Sequence, residues 1–119
     1  MKLPTLVIAS FKRSCQSDMD DIAKFLIRYG PEDLVADGGL TEKLERLRIT
    51  LWKRWCRMDT AWRNHNPTDG NVGMATLEGL GTIVKATRVA VDDVLHISGK
   101  ALEMTREIAS SQDKPPVVK

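Results

Sequence analysis

The sequence predicts an all-α protein, a small N-terminal helical head followed by a long antiparallel helical hairpin that oligomerises. Leu40, Leu44, Leu47, Leu51, Trp55, Met58 and Trp62 recur at intervals of three and four residues, forming one stripe on a helix over about 41–63. Leu77, Leu80, Val84, Thr87, Val91, Val94, Ser98, Ala101, Thr105 and Ile108 keep the same alternation over about 74–108. Between the two helices, residues 64–71 contain Pro67 and Gly70, which sit poorly inside a helix and well in a turn.

Within the head, taken as residues 1–39, the apolar run Leu6, Val7, Ile8 and Phe11 suits either a short helix after Pro4 or a strand, and we take the helix. A second helix is expected from Met19, with Ser17 or Asp18 as its N-cap, Asp20 and Asp21 at its positive end, and Met19, Ile22, Phe25, Leu26 and Tyr29 on one apolar face. Gly30-Pro31 ends it, Pro31 opens a short helical turn, and Gly38-Gly39 makes a flexible joint. The hairpin occupies 40–109. Thr41 is the expected N-cap of its first arm, with Glu42 in the first turn.

The second arm carries another stripe, Ile83, Ala90, Val94, Ile97, Ala101, Met104 and Ile108, beside the first. So wide an apolar arc needs more than one partner; the first arm covers part, and the head or another subunit covers the rest. Small residues near the loop, among them Gly79 and Gly81, permit close helix approach opposite Trp55, Met58 and Trp62, although each glycine costs up to about 1 kcal/mol of helix propensity. Residues 110–119, with two prolines and no periodicity, read as a mobile tail.

At 119 residues and 42% apolar composition the chain supports one core. No apolar run approaches the roughly 20 residues of a membrane span, and Cys15 and Cys56 have neither metal nor redox spacing. A cytoplasmic protein with structural thiols is expected. The formal charge of +2 is unevenly spread: residues 40–63 hold seven basic side chains against three acidic ones. Arg46, Lys53 and Arg57 share a face flanked by Lys43, Arg48 and Arg54, either as a solvated surface or as a phosphate-binding one. Trp52 to Arg57 interleaves cations and aromatics, but Trp55 and Trp62 lie on the core stripe, so packing is favoured over base stacking.

Catalytic apparatus is not visible, and no cofactor is expected. Asp92, Asp93 and His96 supply too few ligands for a metal site, His65 reads as a polar loop residue, and Gly79-Leu80-Gly81 lacks the glycine and lysine of a phosphate loop. A helix–turn–helix over 19–37 is disfavoured, because its second piece is short and carries Glu32, Asp33 and Asp37.

The helical head, the basic first arm ending in tryptophan-rich turns, the broadly apolar second arm and the loose tail together resemble bacteriophage small terminase subunits. The resemblance is architectural, covers about 19–119, and rests on no diagnostic motif. It implies a non-enzymatic homo-oligomer, such as a ring, that binds double-stranded viral DNA in the host cytoplasm and presents it to a large ATPase-nuclease subunit. Lys43, Arg46, Lys53, Arg54 and Arg57 would then face DNA. Leu77, Leu80, Ile83, Val84, Val91, Ile97 and Met104 would supply the subunit interface, and 110–119 would reach the large subunit. The acidic stretch 19–37 departs from family members that carry a DNA-binding helix–turn–helix there. The competing class is a helical-bundle adaptor or small regulator whose cations only solvate its surface.

Overall fold

The computed structural model describes residues 4–65 and 74–113, with the side chains of residues 4, 65, 74–78 and 113 outside the description. These residues form four helices and no strand: α1 (Pro4–Arg28), α2 (Pro31–Ala36), α3 (Gly38–His65) and α4 (Met74–Asp113). The molecule measures 75 × 23 × 18 Å, an elongation set largely by α4, whose 40 residues span about 60 Å. Asn64 and His65, expected in the turn, instead close α3, and residues 110–113, expected in the mobile tail, continue α4. Residues 66–71 of the turn, the side chain of Leu77 and residues 114–119 lie outside the described residues.

Helix α1 is one continuous helix, not two pieces. Ser17 and Asp18, expected to cap a helix at Met19, sit in its middle. Ile8, Cys15, Ile22 and Phe25 are buried at seven- and three-residue spacing, so the residues on both sides of the expected break share one face. Asp18 is itself only 8% exposed, and its carboxylate accepts a hydrogen bond from Arg54 Nε at 2.9 Å, a tertiary partner in place of a capping amide.

A short corner follows. The Gly30 amide donates to Asp33 Oδ2 at 2.8 Å, so the carboxylate reaches back as in half of a capping box, with Pro31 at the first helical position as expected. Asp37 closes α2 by donating its amide to the Asp33 carbonyl (3.0 Å), and opens α3 by accepting the Gly39 amide on Oδ1 (2.9 Å). Gly38 and Gly39 are therefore helical rather than a loose joint. Thr41 is not the N-cap; its hydroxyl donates to the Leu34 carbonyl at 3.0 Å and ties α3 to α2.

Pairs joining α3 and α4 run in opposite order along the two helices: Arg48 with Ser98, Trp55 with Val84, and Trp62 against Gly81. The two helices are antiparallel. Helix α1 lies antiparallel on α3, as shown by Asp18 with Arg54 and by two shared grooves, one placing Phe25 near Leu47 and the other Phe11 near Ala61. It also packs on α4, to which it must run parallel, while α2 packs against α3 and α4. The result is an up-down-up bundle of three long helices with a short corner helix.

One core unites them. Ile8, Cys15, Ile22 and Phe25 of α1 meet Leu44, Leu51, Trp55 and Met58 of α3, and Leu80, Val84, Val91 and Leu102 of α4. The second partner required by the wide apolar arc of α4 is thus supplied within the chain by α1. Thr87, Ser98 and Thr105 are buried on α4 at no hydrogen-bonding cost, each hydroxyl donating to the carbonyl four residues earlier at 2.7–2.8 Å. No helix among the described residues is long and apolar enough to cross a membrane.

Candidate nucleic-acid interface

Because α3 buries the Leu44–Leu51–Trp55–Met58 stripe, residues half a turn away must face solvent, and these are the basic ones. Lys43, Arg46, Lys53 and Arg57 are exposed, and none has an ion-pair partner among the described residues. Lys53, Arg54 and Arg57 come together with Thr50 around a shallow depression of about 210 Å³. Arg54 differs from its neighbours. Its guanidinium is held by Asp18, a hydrogen bond and charge that raise its pKa further, so its charge is largely neutralised.

The contribution of α1 is not legible in the sequence. Lys24 and Arg28 of α1 line a groove with Lys43 and Leu47 of α3, although Asp21 shares it. Their spacing of four residues places them on one helix face, but only the docking of α1 reveals that this face adjoins Lys43. Arg48, expected to flank the basic face, turns instead toward α4: Nε donates to Ser98 Oγ (2.9 Å) and Nη2 to the Leu95 carbonyl (3.0 Å).

The tryptophans divide as their positions on the stripe demand. Trp55 is buried and donates Nε1–H to the Val84 carbonyl at 3.1 Å. Trp52 is 38% exposed and stacks on Trp55 at 5.5 Å between centroids. Arg88 of α4 lies 4.7 and 4.6 Å from the two ring centroids, and its Nε donates to both Asp92 oxygens at 3.0 Å. A base approaching Trp52 would meet a ring already engaged by Trp55 and Arg88.

The residues expected at a subunit interface are scattered by the fold. Leu80, Val84 and Val91 are consumed by the chain's own core, because α1 and α3 occupy that side of α4. Ile83 is half-buried against that core. Ile97 and Met104, 59% and 51% exposed and seven residues apart, face outward with half-buried Ala101 and Ile108 beside them. Among the described residues of the expected interface, only this outer strip is open to another molecule.

Both cysteines are free thiols. Cys15 is fully buried, and loss of hydration, then the neighbouring Asp18 charge, push its thiol up to about 11, with Arg54 opposing. Among the described residues no three His, Cys, Asp or Glu side chains converge as metal ligands. Comparison with protein-family models, with curated proteins and with solved structures returns no match.

Proposed function

We propose that the chain is a non-enzymatic, homo-oligomeric DNA-binding protein of the kind typified by phage small terminase subunits, with the outer face of α3 as its duplex-binding surface. The observation that supports it is the cluster of Lys43, Arg46, Lys53 and Arg57, exposed on one face and in no ion pair with a described carboxylate. Lys24 and Arg28 extend the cluster onto α1. Cations held this way release counterions from phosphates without reading bases, so affinity comes with little sequence selectivity. Self-association uses the Ile97–Met104 strip, and the segment beyond α4 engages the large packaging subunit.

Binding to duplex DNA, followed by fluorescence anisotropy at rising salt, tests the reading. Four phosphate contacts give a log–log slope of about −3.6 for each bound subunit, and reversing Arg46, Lys53 and Arg57 to Glu abolishes binding. Indifference to salt and to these changes overturns the DNA reading. Native mass tests the assembly, since a stable monomer overturns the ring. A second reading, a protein-binding adaptor, is favoured by the exposed Ile49, Trp52, Val89, Ile97 and Met104. It predicts association with salt-independent affinity and no DNA binding.

A further inference from the structure

On the edge where α3 meets α4, away from the outer basic face, a cleft of about 380 Å³ is lined by Arg48 together with His96, Lys100, Glu103 and Arg106. Its base is preorganised. Arg48 spends the Nε–Nη2 edge of its guanidinium on Ser98 Oγ and the Leu95 carbonyl, and Ser98 Oγ is in turn fixed by donating to the Val94 carbonyl at 2.7 Å. Gly99 eases the approach, because a Cβ there would lie 3.1 Å from Nη2, a tight contact that the guanidinium would have to relieve by a few tenths of an ångström.

Two neutral acceptors therefore hold this charge, and no described carboxylate pairs with it. Among the described residues the Nη1–Nη2 edge, a second two-pronged donor, has no partner beyond the Leu95 carbonyl already bound by Nη2, and Nη1, which makes no hydrogen bond there, is not fully buried. The α4 wall adds Lys100 and Arg106 as cations, with Glu103 as the one carboxylate, paired to Lys100 at 3.4 Å. Three cations against one carboxylate leave an excess of two positive charges, with His96 as a further hydrogen-bonding group.

From this geometry we infer that the cleft is a binding site for a phosphate dianion, either inorganic phosphate or the terminal group of a small phosphate ester. A guanidinium locked by one edge and free at the other offers bidentate donation at little further cost in side-chain entropy, which suits a planar pair of phosphate oxygens better than a single lysine would. Lys100 and Arg106 close over the remaining oxygens. This site is separate from the duplex-binding face and does not depend on it.

The test is a titration of the isotope-labelled full chain with inorganic phosphate, against sodium chloride of matched ionic strength, following the amides of Ser98 and Gly99 and the Arg48 Nε–H by NMR. Saturable shifts at millimolar phosphate, confined to these signals and absent with chloride, are expected. Arg106→Gln, on the exposed rim, should weaken binding about tenfold, and Arg48→Lys, which keeps charge but removes the fork, should do so at least as much. Non-saturating shifts, or equal shifts with chloride, overturn the site. If phosphate has no effect but a short duplex moves the same signals, the small-ligand site is overturned as well. Reversal of Lys53 and Arg57 should leave phosphate binding intact, so failure of the duplex reading and failure of this one are read separately.

Discussion

Asp18 and Arg54 meet at 2.9 Å across the α1–α3 interface, the carboxylate nearly buried and the guanidinium about one-third exposed. This asymmetry means that the two partners do not cost the same to remove. Arg54→Leu strands a carboxylate away from water and should destabilise by about 2–3 kcal/mol, whereas Asp18→Asn leaves a cation that can hydrate and should cost about 1–2 kcal/mol. Urea denaturation of the two variants checks the order; two costs near zero would show that the pair behaves like a surface ion pair.

The same pair bears on Cys15. Asp18 raises the thiol pKa and Arg54 lowers it, so Asp18→Asn should bring the thiol down and Arg54→Leu should push it further up. A thiol raised from 9.0 to about 11 favours the folded state while it is protonated. That contribution is fully present below the unfolded-state pKa and is lost as pH climbs from 9.0 toward about 11, a loss of up to about 3 kcal/mol. Stability measured across this window should fall more steeply for the native chain than for Cys15→Ala. In the native protein Cys56, half-buried, should react with a thiol reagent well before Cys15.

Two glycines on α4 make an internally controlled pair. A Cβ at Gly79 meets nothing within 4 Å, so Gly79→Ala should stabilise by about 0.5–1 kcal/mol through helix propensity alone. At Gly81 the Cβ would come within 2.7 Å of the Trp62 ring, and Gly81→Ala should destabilise by about 1–2 kcal/mol despite the same propensity gain. Thermal unfolding midpoints that rise for both variants would mean that the helices do not approach as closely as the structure places them.

Arg88 bridges two rings and a carboxylate, and its removal is best seen optically. Arg88→Ala should change the intrinsic tryptophan emission and cost about 1 kcal/mol, with a double-mutant cycle against Trp52→Ala giving about 0.5–1 kcal/mol of coupling. Trp55→Ala should cost about 3–5 kcal/mol, because it empties a core position and leaves the Val84 carbonyl without its indole donor.

What the sequence disclosed, and what it concealed, follow from one distinction. Periodic burial along a helix is local, so the stripe from Leu44 to Met58 on α3 and that from Leu80 to Thr105 on α4 could be read directly. Gly30-Pro31 likewise carries its own meaning, since the amide missing from proline suits a first helical position. The continuity of α1 was hidden because Ser17 and Asp18 look like caps, and only Arg54, 36 residues away, explains a carboxylate inside a helix. Leu102 belongs to neither expected stripe, yet it is buried in the core that α1 and α3 complete. Among the candidate site residues, exposure at Lys43, Arg46, Lys53 and Arg57 followed from the α3 period. The inward turn of Arg48, the neutralisation of Arg54 and the enlistment of Lys24 and Arg28 required the packing of three helices.

The up-down-up order also imposes a timetable on synthesis. Once residue 65 has emerged, α1 and α3 can already zip together through the α2 corner, but Leu51, Trp55 and Met58 still lack the α4 side chains that complete their burial. A chain arrested there should bind a hydrophobic dye and depend on chaperones until α4 arrives. The helix that carries the outward Ile97–Met104 strip is thus the last of the four to join, so the step that closes the interior is also the one that brings this strip to the surface.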